Sequence, residues 1–361
     1  MSNILIISPE FWNSHTVSKH HYARTLSDLG HKVFFLNPPS RNLKSISNTS
    51  FNKNSLIVID SPVIVQGLRF LPAFLRLYLE KRWLKSLESL LGLRLDTIWL
   101  FENSRFFNMR FAGDRLTIYH QVDLNQNFHP EQAAVSADVC LCTTDIIAER
   151  LRRVRPDVHK IHHGTAVVPE RSVGSDTHLF DSPRVHATYI GNLDMAYLDV
   201  EALRRLVSLH SDVSFHFVGG YTEQTPLWQA CQRAHNVHWW GKVPFTQVPC
   251  IVEHSDVLLV AYQKQHQRDQ ASPHKFMEYL LSGKVVVSSY TDEYKDKRHL
   301  VEMADPDGDL EAVFARVVVD LDYYNSAEKQ AERKAFALEH RYENQLARIE
   351  KIILDTTGRK L

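Results

Sequence analysis

The sequence is poor in cysteine, carries no surplus charge of either sign and has no long apolar run. Four cysteines in 361 residues are too few for a disulfide framework. Cys140 and Cys142 alternate within an apolar stretch, as buried thiols on one face of a strand do, and that spacing suits no zinc site. Forty-two Lys plus Arg balance 42 Asp plus Glu, so no global positive field concentrates nucleic acid on the surface and no nucleic-acid partner is expected. No apolar run approaches the roughly 20 residues of a membrane-spanning helix. The start, Met1-Ser2-Asn3 leading into Ile4 to Ile7, has neither a basic leader nor a small-residue cleavage pattern, and a cytoplasmic chain without a transmembrane anchor is the expectation.

What is present is an ordinary globular composition, 44% hydrophobic and 23% charged, long enough for about two domains. Short β-branched runs alternate with helical stretches. Ile4 to Ile7, a helix over about 17–29, Gly30 as its cap and Lys32 to Leu36 make a βαβ opening. Strand-like runs follow at 56–59, 97–101, 116–119, 139–143 and 158–161, with a helix at 145–153. Such continuously apolar strands, buried on both faces, favour parallel sheets covered by helices. From Thr165 to about Ser182 the periodicity fails, and Pro169, Gly174 and Pro183 punctuate a linker. The alternation then restarts with strands at 187–190, 213–218, 237–240, 257–261 and 285–289. Helices are predicted between them at about 200–209, 226–234, 246–254 and 273–282.

The segment densest in chemistry is Ala271-Ser272-Pro273-His274-Lys275-Phe276-Met277-Glu278, continuing to Gly283. Ser272 suits an N-cap, Pro273 the first helical position and Gly283 the end of the helix. Lys275 and Glu278 share a helix face at the end that leaves the sheet's carboxyl edge, where open α/β folds bind ligands. A helix N-terminus with a lysine in its first turn suits a diphosphate, and a carboxylate one turn on can accept both hydroxyls of a ribose. Taken alone, the two residues fit an exposed i, i+3 ion pair equally well.

Ser272-Pro273-His274-Lys275 through Glu278-Tyr279-Leu280, with Gly283-Lys284-Val285-Val286, resembles the donor-binding helix of GT-B glycosyltransferases, above all bacterial glycosyltransferase family 4 and related surface-polysaccharide enzymes. Ala137-Asp138-Val139 through Thr143-Thr144, Ile161-His162-His163-Gly164, Tyr189-Ile190-Gly191-Asn192-Leu193, Phe217-Val218-Gly219, Asn236 to Gly241 and Ser255 to Leu259 follow in the family's order. The resemblance implies an α/β GT-B fold, with two Rossmann-like parallel-sheet domains facing each other across a cleft. Residues 1–165 are then the acceptor-binding domain, 166–184 the linker, 185–340 the nucleotide-sugar-binding domain and 341–361 a helix crossing back to the first. It implies a metal-independent hexosyl transfer from a nucleotide-diphosphate sugar to a lipid-linked or glycan acceptor in surface polysaccharide or glycoconjugate biosynthesis, with no cofactor beyond the donor. The implied donor set is Gly191, Asn192, Gly219, Gly241, Lys242, Val243, Ser272, His274, Lys275 and Glu278.

Departures from the family pattern are plain. Gln270 stands where an earlier glutamate is usual, Asn192 to Ala196 supplies no cation, and Ser8 to His15 replaces a glycine-rich first loop. In the first domain, the resemblance gives His120 and Asp123, read as following a strand, a catalytic or sugar-positioning role. A carboxylate there can take the acceptor's proton. His15 and Glu102 are expected on the acceptor side, and His20 and His21 as surface polar residues. A nucleotide-sugar 2-epimerase and a non-catalytic nucleotide-sugar or partner-binding module remain alternatives on the same fold.

Residues 66–94 carry six cations against two carboxylates, interleaved with Phe70, Phe74, Tyr78 and Trp83. This basic amphipathic pattern suits peripheral contact with an anionic membrane, and equally a helix whose apolar stripe packs on its own domain.

Overall fold

A computed structural model of the chain describes residues 1–14, 16–51, 55–124, 127–165, 177–182, 184–268 and 274–361. The linker residues 166–176, His15, Gln270 and Ser272 lie outside the described residues. Contacts divide the chain into two units, Met1–His163 with Tyr342–Leu361, and Gly164–Arg341.

The first unit runs β1 (Asn3–Ile7), α1 (Ser18–Asp28), β2 (Lys32–Leu36), β3 (Ser47–Phe51), β4 (Leu56–Asp60), α2 (Ala73–Leu91), β5 (Thr97–Leu100), β6 (Leu116–Gln121), α3 (Pro130–Ser136), β7 (Val139–Cys142), α4 (Asp145–Arg152) and β8 (Val158–Lys160). Its sheet has the order β3-β4-β2-β1-β5-β6-β7-β8. Ile4 to Ile7 and Val33 to Leu36 are sealed from solvent because helices cover both faces, which is why they read as unbroken apolar runs. β3 alone is antiparallel. Its sequence, SNTSF, is exposed throughout, and a polar outermost strand of this kind resists pairing with another chain. β2 and β5 flank β1 on opposite sides, so the strand order reverses there.

The second unit runs β9 (Val185–Ile190), α5 (Val200–Leu209), β10 (Val213–Val218), α6 (Pro226–Cys231), β11 (Val237–Gly241), α7 (Val248–His254), β12 (Val257–Val260), α8 (Lys275–Ser282), β13 (Val285–Ser288), β14 (Glu302–Met303), α9 (Leu310–Val319), α10 (Leu321–Tyr324) and α11 (Ala327–Glu339). Its strands pair in parallel in the order β11-β10-β9-β12-β13-β14, and this order reverses between β9 and β12. Buried polar groups tie the layers where apolar packing cannot. Arg333 of α11 is sealed from solvent and donates to the carbonyls of Gly283, Tyr324 and Leu300, joining α11 to the end of α8. The last helix, α12 (Tyr342–Thr357), belongs to the first unit and packs on α1 and β7. There the Tyr342 ring stacks on His21 at 4.7 Å.

Candidate functional site

In open α/β sheets the crevice outside the carboxyl ends of the strands at the reversal of order is the natural ligand position. In the second unit this point lies beyond β9 and β12, and Lys275 occupies it. Its Nζ donates to the Tyr189 hydroxyl at 3.1 Å and stands 4.2 Å from the Tyr189 ring centre and 5.4 Å from that of Tyr262. Tyr189 comes from β9, and Tyr262 follows β12. The helix that carries the lysine is fixed by Tyr279, whose hydroxyl accepts from the Ile190 amide at 3.0 Å. Burial lowers the Lys275 ammonium to about 7, with Glu278 opposing the shift. Near neutral pH the lysine is therefore balanced between its charged and neutral forms, and an arriving anion favours the charged one.

The strand ends beside it approach more closely than side chains allow. At Gly191, with φ +154°, a Cβ would stand 2.9 Å from Lys275 Nζ, and at Gly219, also φ +154°, it would lie 1.8 Å from the Gly191 carbonyl oxygen. The Gly191 amide donates to Val218 and the Gly219 amide to Gly241, so three neighbouring strand tips are stitched together next to the lysine. Asn192 turns its side-chain oxygen to the Asp194 amide at 3.0 Å. Lys242 is exposed and Val243 half-buried after β11, with the Lys242 stem lying against Gly220.

Glu278 Oε1 is 3.3 Å from His274 Nδ1, while Lys275 turns to Tyr189. The simple Lys275–Glu278 ion pair weighed from the sequence is thus replaced by two separate contacts. The described helix runs from Lys275, the expected first position Pro273 lies outside the described residues with Ser272, and His274 at the cap position makes no side-chain capping bond. Tyr189 and Tyr262 were not singled out from the sequence, because an aromatic residue in or beside an apolar strand reads as core.

In the first unit the carboxyl ends of β1 and β5 form the matching reversal point. Here Lys19 Nζ pairs with Glu10 Oε2 at 2.6 Å although the lysine is only 2% exposed. Asp123 keeps solvent exposure, yet desolvation raises its carboxyl, with Lys19 opposing and Glu10 reinforcing the shift. Neither Lys19 nor Glu10 carried a signal in the sequence beyond being polar.

Three first-unit histidines depart from expectation, and Glu102 is engaged locally. His120 lies inside β6, which runs two residues past the end read from the sequence. It is sealed among Tyr22, Trp99 and Phe101, and neither ring nitrogen has a hydrogen-bond partner. Burial, with Lys19 nearby, lowers it to about 3, so it is a neutral ring beneath the surface. Glu102 folds back on its own turn, accepting from the amides of Ser104 at 2.5 Å and Arg105 at 3.0 Å. His20 and His21 are buried rather than surface residues. His20 bonds the Val17 amide and lies 3.1 Å from the Phe11 carbonyl.

The region 66–94 is mostly α2, and its two faces differ. Arg76, Glu80, Trp83, Leu84 and Leu87 face inward, whereas Phe70 and Phe74 are each 77% exposed and Tyr78 is 59% exposed. Arg76 and Trp83 therefore do not belong to the outward surface. Phe74, Tyr78, Lys81, Arg82 and Lys85 form its stripe along one helical face. No helix among the described residues is long and apolar enough to cross a membrane.

Residues 185–320 match the family described as Glycosyl transferases group 1. By structure the chain is similar to a sucrose-phosphate synthase of Thermosynechococcus elongatus, with a TM-score of 0.73 at 13% identity over 99% of this chain and 100% of that one. It is likewise similar to HepE of Anabaena in complex with UDP-glucose, with a TM-score of 0.72 at 12% identity over 98% and 100%. A glycosyltransferase of Rickettsia africae ESF-5 gives 0.71 at 11% identity, over 99% of each chain. These likenesses establish the fold, which is GT-B with two α/β units. No curated protein matches the chain by sequence.

Proposed function

We propose that the chain is a glycosyltransferase that moves a hexose from a nucleotide-diphosphate sugar to a lipid-linked or glycan acceptor. The observation that carries this reading is Lys275. It is a lysine at the strand-order reversal of the second unit, held on two tyrosines with no carboxylate paired to its Nζ among the described residues, beside glycine tips whose lack of side chains lets the strand ends close up against it. A diphosphate would take the lysine and the amide end of α8, the ribose hydroxyls Glu278, and the base the backbone around Gly241 to Val243. HepE, which shares the fold, binds UDP-glucose, and that supports a nucleotide-sugar donor. The lysine and helix terminus neutralise the leaving diphosphate without a metal.

On the acceptor side, the raised Asp123 carboxyl has the basicity to take a proton from an acceptor hydroxyl. That oxygen then bonds to the anomeric carbon as the bond to the diphosphate breaks, and the electron pair leaves with the diphosphate. His120 contributes by packing among Tyr22, Trp99 and Phe101 inside β6, the strand that leads to Asp123. The outward face of α2, with Phe74, Tyr78, Lys81, Arg82 and Lys85, suits contact with an anionic membrane where a lipid-linked acceptor resides. Incubation of the protein with a panel of nucleotide sugars, with and without lipid and glycan acceptors, tests the reading. Transfer that requires acceptor supports it; conversion of the donor alone to its 2-epimer overturns it in favour of an epimerase.

A further inference from the structure

We propose that the inner face of α2, with the loops after β4 and β5, forms an oxyanion subsite in which Arg76 and Arg105 hold a phosphate or carboxylate group of the acceptor beside Glu80. This rests on reading the first unit as the acceptor side. The starting observation is a cluster of orphaned polar atoms. Arg76 Nε, both carboxyl oxygens of Glu80 and Trp83 Nε1 are buried without hydrogen-bond partners, and all three residues lie on one helical face at 0–8% exposure. Roughly nine in ten buried polar groups are hydrogen-bonded in native proteins, so four orphans on two turns of one helix call for a partner. The Arg76–Glu80 separation, 3.7 Å, is too long for a hydrogen bond.

The two guanidiniums are held by ring faces rather than by acceptors. Arg76 lies 4.0 Å from the centre of the Phe107 ring, and Arg105 lies over Trp83 and Phe106 at 5.1 and 4.9 Å. Stacking fixes each planar fork and leaves its N–H edge free to donate. Of the two forks, the one hydrogen bond made among the described residues runs from Arg105 Nη2 to Ser61 Oγ at 3.0 Å. Ser61 follows β4 and Arg105 follows β5, so the cluster sits at the carboxyl edge of the sheet.

Its charge is unbalanced as well. Burial raises the Glu80 carboxyl to about 8 against the pull of Arg76 and Arg105, and it lowers Arg105 to about 10. At neutral pH the Glu80 carboxyl is therefore mostly protonated, and among the described residues Glu102, which opposes the shift at Arg105, is the carboxylate left to face the two guanidiniums. An oxyanion fits both needs. It accepts from the two forks, and the Glu80 carboxylic acid donates to it or to a neighbouring hydroxyl. The ligand class is a small hydroxylated molecule with one phosphate or carboxylate.

The test uses the full chain carrying Lys275→Ala, so that the donor-site cation does not contribute. Thermal unfolding is followed against inorganic phosphate, glycerol 3-phosphate and glucuronate, with sodium chloride at matched ionic strength as the control. Saturable stabilisation beyond chloride is expected, weakened at least tenfold in apparent affinity by Arg105→Gln and partly restored by Arg105→Lys. Glycerol 3-phosphate outperforming glucuronate assigns a phosphate, and the reverse a carboxylate. A response no greater than that of chloride means that water alone satisfies these atoms and overturns the proposal, as does an undiminished response in Arg105→Gln. Should Arg76→Gln not fold, Arg105→Gln decides, because Arg105 is only half-buried. UDP binding by the wild-type chain is measured separately, so loss of the subsite and loss of the donor reading are distinguishable.

Discussion

Acid should loosen the second unit in a manner traceable to one histidine. Trp240 Nε1, which can only donate, lies 3.1 Å from His216 Nδ1, so His216 accepts there and carries its proton on Nε2. That proton faces His186 Nδ1 at 2.9 Å, and His186 in turn places its own on Nε2, 3.2 Å from the Ser182 carbonyl. A second proton on His216 would set two N–H groups against each other. Burial, with His238 and His186 alongside, accordingly lowers His216 to about 3 from its ordinary 6.5. Below pH 6.5 the unfolded chain takes up a proton that the folded unit refuses, so stability is full above that pH and falls by about 1.4 kcal/mol per pH unit towards 3. By pH 4 the loss from this residue is about 3 kcal/mol. Hydrogen exchange of the β9 and β10 amides between pH 7 and 4, corrected for intrinsic rates, reads this locally. His216→Gln should flatten the dependence by close to one proton. Identical pH slopes for the wild-type and variant chains would refute the tautomer argument.

Gly219→Ala drives a Cβ to 1.8 Å from the Gly191 oxygen at φ +154° and should cost about 3 kcal/mol or more. Gly92→Ala, with open space around it at φ +66°, should cost about 1 kcal/mol; equal shifts in thermal unfolding would contradict the close approach of the strand tips. Asp123→Asn should lower kcat of sugar transfer at least a hundredfold with nucleotide affinity intact, and an unchanged kcat would make Asp123 structural. Replacing Lys81, Arg82 and Lys85 by glutamine should release the protein from anionic vesicles in flotation at low salt, each cation contributing about 1 kcal/mol. Wild-type protein that stays with the buffer would leave the stripe without a lipid role.

The two parallel sheets were legible because strands covered on both faces need apolar residues at every position, as in Ile4 to Ile7 and Val285 to Val287. β3 was not, since an outermost strand such as SNTSF meets water on its free side and carries no apolar pattern. The end of β6 was misread for a related reason. His120 and Gln121 are polar yet buried, and composition alone stops the strand at Tyr119. Around α8, the helix start and its Lys275 were visible as residue types, whereas the tyrosines that seat the lysine come from β9 and from the residues after β12, brought together only by the sheet. The sign of a charge also does not give its direction. Arg76 counts as a surface cation in the sequence, but its phase with Glu80, Trp83 and Leu87 turns it inward.

The most direct test of the central claim is calorimetric titration of nucleoside diphosphates into the wild-type chain and into Lys275→Ala and Glu278→Gln, repeated in two buffers of different ionisation enthalpy. Because Lys275 sits at about 7 in the free protein, a diphosphate that restores its charge must bring net proton uptake at pH 8, and affinity must fall as pH rises above 7. Each substitution should weaken binding by about 1.5 to 3 kcal/mol, some ten- to a hundredfold, with the proton uptake lost in Lys275→Ala. Equal affinity in all three proteins, with no proton taken up by the wild type, would contradict the assignment of the donor site.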